Sequence, residues 1–164
     1  AWLSPENAKI WLNLIAAQLS TADPENACTY FTNAAVALTE TDTLMTEVST
    51  MLELIRGTRF IVFHDAYQYF ETVFDFPASG AISLGDATDP SPARITKIQD
   101  RITDQGLQCV LAEPQSKKGL VATVSEGTDG KTSIIDPLWV ALELGPTLYP
   151  KLFRNMAKTL VDCF

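Results

Sequence analysis

The sequence predicts an α/β fold: a four-stranded parallel sheet with flanking helices, preceded by one long helix. Two observations predict it. After Pro24 no glycine or proline appears until Gly57, so this stretch reads as a single uninterrupted helix. After Gly57 short apolar runs alternate with amphipathic stretches, the pattern of successive βα units. The chain therefore divides into residues 1–22, 23–56 and 57–164, and 164 residues suffice for one domain that buries a real core.

In order along the chain, Ser4-Pro5 is an N-cap followed by proline at the first helical position, where a missing N–H costs nothing. The helix it starts runs to about residue 20, with Ala8, Trp11, Leu12, Ile15 and Leu19 on one face. Ile10 and Leu14 add apolar groups elsewhere on its circumference, so the helix asks for burial on most sides. Asp23-Pro24-Glu25 repeats the start signal for a helix over 24–55, about 45 Å long at 1.5 Å per residue. Its apolar stripe is Phe31, Ala34, Leu38, Met45, Val48, Leu52 and Ile55, with a polar gap near Thr41 and Asp42. Seven threonines between 29 and 50 lower its intrinsic propensity, so tertiary packing must hold it.

The first strand spans 59–63 and leads into the only histidine, His64, then into a helix from Ala66 that Asp65 should cap. A second strand covers 80–84. The punctuation Asp89-Pro90-Ser91-Pro92 precedes a helix to about Gln105 with Ile95, Ile98 and Ile102 on one face. A third strand at 108–112 is followed by a helix near 117–126, and a fourth by residue range is 132–135. Residues 146–150 lead into the last helix, where Leu152, Phe153, Met156, Leu160 and Cys163 face inward. Tyr67, Tyr69 and Phe70, following a strand, read as core.

A net charge of −8 argues against a nucleic-acid partner, whose phosphates would be repelled. With 46% hydrophobic and 20% charged residues the composition is ordinary for a globular protein. No apolar run reaches the roughly 18 residues needed to span a membrane. Three cysteines is an odd count, and composition alone allows all of them to be reduced.

In a parallel sheet the residues just past the strand ends line the ligand crevice. On this layout His64, Glu113 and Asp136 each follow a strand, so they converge on one edge although far apart in sequence. Imidazole nitrogen and carboxylate oxygen suit zinc, but a closed tetrahedral site needs four ligands. Taken alone, His64 equally reads as a histidine that satisfies a turn, and Glu113 as a cap.

The segment Phe63-His64-Asp65-Ala66-Tyr67-Gln68-Tyr69-Phe70 resembles the signature of the metal-binding solute receptors of ABC transporters, in their zinc-uptake branch. The segments Cys109-Val110-Leu111-Ala112-Glu113-Pro114-Gln115, Ile135-Asp136-Pro137-Leu138 and Asp162-Cys163-Phe164 agree with it, so the likeness covers essentially the whole chain. Such receptors have two lobes joined by a long helix, with the metal between them. The resemblance implies that 57–164 is the C-terminal lobe, 23–56 the linker helix and 1–22 a remnant helix of the N-terminal lobe. It makes His64 a metal ligand and Asp136 a second one, with Glu113 a supporting acceptor for the imidazole N–H. Trp139 stands where the family usually has glycine. Cys109 and Cys163 match a cystine of the family; on the chain-entropy model that bond contributes about 4 kcal/mol and implies an oxidising compartment. Cys28 is then left free.

The family also implies a function: periplasmic capture of Zn2+ and delivery to a cognate ABC permease in the membrane, with no catalysis. In the family the segment matching Ala1–Pro5 follows directly on another ligand histidine. The chain is therefore expected to hold half of the metal site, to bind zinc weakly or not at all by itself, and to expose its first helix, fold it back or use it in a homodimer. A different class of reading is a small α/β enzyme with His64 and Asp136 or Glu113 as an acid/base pair, and a third is a non-catalytic interaction domain. No GxSxG, GxGxxG or GxxxxGK[ST] motif supports an enzyme.

Overall fold

The structure is a computed structural model that describes residues 1–83, 90–128, 130–140 and 142–164. The expected strand residue Leu84 and turn residue Asp89 lie outside the described residues. Ser4 caps helix α1 (Pro5–Ala22) as its sequence predicts, accepting from the Asn7 N–H at 3.2 Å. The second helix starts later than expected. Pro24–Asn26 form a 3-10 turn, and α2 is Ala27–Glu53, about 40 Å long. The Asp23 carboxylate holds this turn by accepting from Asn26 Nδ2 at 2.8 Å and from the Tyr30 hydroxyl at 2.7 Å.

The buried stripe of α2 also differs from the sequence expectation. It is Ala34, Thr41, Leu44, Val48 and Leu52, whereas Phe31 is exposed. The supposed polar gap is filled by Thr41, which is buried because its hydroxyl donates to the Ala37 carbonyl one turn back at 2.7 Å. Thr32, Thr39, Thr43, Thr46 and Thr50 make the same back-bond on the exposed side. On α1, Ile10, Trp11, Leu14, Ile15 and Leu19 are all exposed, and only Pro5 and Ala16 are buried. Of the expected apolar face of α1, Trp11, Ile15 and Leu19 are thus uncovered in this chain, while Ala8 and Leu12 are half-buried.

Gly57, at φ 81°, turns the chain into the sheet, in a region that only glycine enters freely. The strands are β1 (Phe60–His64), β2 (Ala81–Ser83), β3 (Cys109–Ala112) and β4 (Lys131–Ile134). The interleaved helices are α3 (Gln68–Phe74), α4 (Pro92–Gln105), α5 (Lys118–Ser125) and α6 (Leu148–Cys163). All pairings are parallel, as the βα alternation predicts, and the order is β2-β1-β3-β4. β4 begins one residue earlier than expected.

Alternation along each strand divides the core in two. Phe60, Val62, Cys109 and Leu111 face α2, α3 and α6 in one cluster with Leu52, Phe70, Phe153 and Leu160. Ile61, Phe63, Val110 and Ala112 face α4 and α5 in another with Ile98, Ile102 and Val124. The five inward residues read from the last helix are all buried. Cys109 and Cys163 form a disulfide with a Cα–Cα distance of 5.8 Å, and Cys28 is free and exposed.

Between β1 and α3 the chain departs from expectation. Asp65 does not cap the helix; Tyr67 is the N-cap residue and no side chain caps α3. The three-residue turn is needed to bring Tyr67 down into the core, where it is 3% exposed, and the helical spacing that buries Phe70 with it turns Tyr69 to solvent. Burial holds the half-buried Glu71 carboxyl above its usual value; a bond from the Ala78 backbone acts the other way, and Asp65 pushes it further up. A carboxyl raised in the folded state stabilises the fold below its unfolded value and loses that contribution as pH rises through the folded one. Glu71→Gln is therefore expected to raise Tm at pH 7 and to leave it unchanged below about pH 4. A lowered Tm at pH 7 would contradict the assignment of burial as the dominant cause.

Candidate metal centre

The order of the strands places a topological switch between β1 and β3: the chain leaves β1 toward β2 on one side and returns on the other. Ligand crevices form outside the carboxyl ends of strands at such a point. His64 is the last residue of β1 and Glu113 immediately follows β3. The register pairs Phe60 with Cys109 and Val62 with Leu111, and continuing it sets His64 opposite Glu113 on the same side of the sheet.

The side chains meet. His64 Nδ1 lies 3.4 Å from Glu113 Oε2, with the imidazole 19% exposed and the carboxylate only 3%. Glu113 stays buried because its oxygens have donors. Oε1 accepts from the Tyr67 hydroxyl at 2.7 Å and Oε2 from Gln115 Nε2 at 2.6 Å. Its own N–H donates to Ser116 Oγ at 2.9 Å, which fixes the turn after β3. Burial first, then the charge and hydrogen bond of Glu113, then the charge of Asp136, hold the Tyr67 hydroxyl protonated far above its ordinary range. That hydroxyl can only donate to the carboxylate.

Asp136 sits on the loop after β4, within electrostatic reach of Tyr67. Its Oδ1 accepts from the Leu138 N–H at 3.2 Å in a local turn. Trp2 Nε1 donates to the Pro137 carbonyl at 3.0 Å, and the Tyr149 hydroxyl donates to the Trp2 carbonyl at 3.1 Å, so both the first residues and α6 brace this loop. Trp139 has φ 64°, the left-handed region. A residue with a Cβ spends roughly 1–2 kcal/mol there. The indole packs against the core that includes Leu44 and Phe153.

The structure thus brings His64 and Glu113 into contact and puts Asp136 in the same electrostatic neighbourhood. Among the described residues no group of three or more His, Cys, Asp and Glu side chains is arranged to hold a metal ion. The acid/base reading is not favoured: of its two carboxylates, Glu113 is 3% exposed and engaged by Tyr67 and Gln115, and Asp136 is half-buried with Oδ1 accepting from the Leu138 N–H. Sequence reasoning missed Tyr67, which it placed in the core as packing alone, and Gln115. The signal available was a glutamine two residues beyond a glutamate at a strand end, since a buried carboxylate must be matched by donors.

Over residues 1–163 the chain matches the family described as zinc-uptake complex component A, periplasmic. It is 45% identical over 162 residues to the high-affinity zinc uptake system protein ZnuA of Brucella abortus (strain 2308), covering 99% of this chain and 48% of that protein. The ZnuA of Paracoccus denitrificans (strain Pd 1222) is 41% identical over 164 residues, covering 99% of this chain and 50% of that protein. A crystal structure of ZnuA superposes with a TM-score of 0.85 at 23% identity, over 99% of this chain and 58% of that one, a likeness of fold. The chain spans about half the length of the curated relatives it matches. Among the described residues no helix is long and apolar enough to cross a membrane. On the family match across its length, this chain belongs to the periplasmic zinc-uptake component A family.

Proposed function

We propose that this chain is half of an extracytoplasmic zinc receptor, the solute-binding component of an ABC uptake system that captures Zn2+ and delivers it to a membrane permease. In this reading residues 57–164 are the metal-presenting lobe, 23–56 the linker helix and 1–22 a helix that belongs against the other lobe. The observation that carries it is His64, at the switch point of a parallel sheet with its Nδ1 against a buried carboxylate, an arrangement that orients imidazoles toward metals. The two relatives named above are both zinc uptake proteins. Zinc is cargo, and the protein catalyses no reaction.

His64 and Asp136 supply a nitrogen and an oxygen donor, and the imidazole favours zinc over manganese. Two ligands hold zinc weakly, so the 164-residue chain is expected to show weak, saturable zinc binding in calorimetry. Four-ligand zinc sites gather about 10–16 kcal/mol, so one ligand's share is ~3 kcal/mol. His64→Ala is expected to weaken binding about a hundredfold or more, and Asp136→Asn to weaken it less. A tight site that survives His64→Ala would overturn the reading. The exposed α1 face is also the surface through which two copies of this chain would pair; sedimentation that stays monomeric at high concentration would exclude the dimer.

A further inference from the structure

Glu113 can orient His64 only if something orients Glu113. The terminal torsion of a glutamate is soft, with no sharp staggered preference, so an unrestrained carboxylate swings easily. The separation from His64 Nδ1, 3.4 Å, is at the long end of a hydrogen bond, and a small swing would break it. The two oxygens are instead pinned separately, Oε1 by the Tyr67 hydroxyl at 2.7 Å and Oε2 by Gln115 Nε2 at 2.6 Å. One short bond on each oxygen fixes both the position and the plane of the group. Tyr67 is itself 3% exposed and rigidly placed at the start of α3, while Gln115 is held on the turn that Ser116 stabilises.

The geometry points to Tyr67 and Gln115 as positioning residues: they clamp the Glu113 carboxylate so that it accepts a hydrogen bond from the Nδ1–H of His64, which leaves Nε2 for the metal. An ionised carboxylate only accepts, and a neutral imidazole carries one N–H, so the nitrogen that faces Glu113 is the protonated one. The clamp therefore selects a tautomer before any metal arrives. Its consequence for zinc rests on the receptor reading above, but the tautomer does not.

The chain has a single histidine, so its imidazole nitrogens are identified in a labelled sample without further assignment. Long-range 1H–15N NMR of the metal-free chain, at a pH where the imidazole is neutral, is expected to show one dominant tautomer protonated at Nδ1. Tyr67→Phe and Gln115→Ala should each give a mixture, while Tyr69→Phe, at an exposed position, should change nothing. Gln115 is exposed, so its variant keeps the test alive if Tyr67→Phe disturbs folding. Zinc calorimetry on the same variants should show affinity reduced about tenfold to a hundredfold, the usual effect of losing a group that orients a ligand. A native chain protonated at Nε2, or variants whose tautomer and zinc affinity match the native chain, would overturn the clamp. The native tautomer with its expected loss in the variants, but a tight zinc site that survives His64→Ala, would leave the clamp standing and remove the receptor reading instead.

Discussion

Opening the Cys109–Cys163 bond, by reductant or by a Cys109→Ala, Cys163→Ala double variant, is expected to lower the unfolding free energy by about 4 kcal/mol. The bond closes a sequence separation of 54, and the loop-closure entropy it removes from the unfolded chain has that size. In a chain of this length the change corresponds to a fall in Tm of roughly 8–16 °C. The folded state itself should persist, because α6 is docked by Leu152, Phe153, Met156, Ala157 and Leu160, all at most 2% exposed. Circular dichroism at 25 °C should be unchanged while the thermal midpoint drops. A midpoint that stays within about 2 °C under reductant would mean that the bond contributes little beyond that apolar face.

Phe153→Ala is expected to cost about 3–5 kcal/mol, the range for truncating a fully buried aromatic. Phe153 is 0% exposed and shares ring contacts with three partners, at centroid distances of 6.0 Å to Phe70, 6.1 Å to Phe74 and 5.0 Å to Tyr149. Those contacts join α6 to α3, so the cavity opens between two elements and cannot be closed by moving one side chain. Leu54→Ala, at a residue 76% exposed, should by contrast change stability by no more than about 0.5 kcal/mol. Urea midpoints of the two variants separate the cases, and equal midpoints would refute the packing role.

Much of the fold was legible along the chain. The four βα units, the N-cap at Ser4 and the inward face of α6 are local patterns, set by hydrophobic period and capping chemistry that neighbouring residues express without reference to the rest. Misreadings occurred where a nonlocal contact or a back-bond changed the outcome. Thr41 reads as a gap in the stripe of α2 because a hydroxyl is polar, and it is buried because that hydroxyl turns to its own helix. Asp65 reads as a cap because it precedes a helix, but the turn is extended to bury Tyr67. The expected linker helix began at Pro24, and the Asp23 carboxylate, by engaging Asn26 and Tyr30, gave that start to a 3-10 turn.

The site divides in the same way. Sequence by itself determined that His64, Glu113 and Asp136 stand near the ends of strands, because strands are short, apolar and countable. The neighbours of those groups were decided only by the tertiary structure: the β1–β3 register set His64 against Glu113, and the turn after His64 brought the Tyr67 hydroxyl onto the same carboxylate. The physical reason is that periodicity encodes which side of an element is apolar, whereas hydrogen-bond partners 46 and 49 residues apart are fixed by how elements dock. A buried carboxylate demands donors wherever the fold can supply them, and only the folded chain says which ones arrive.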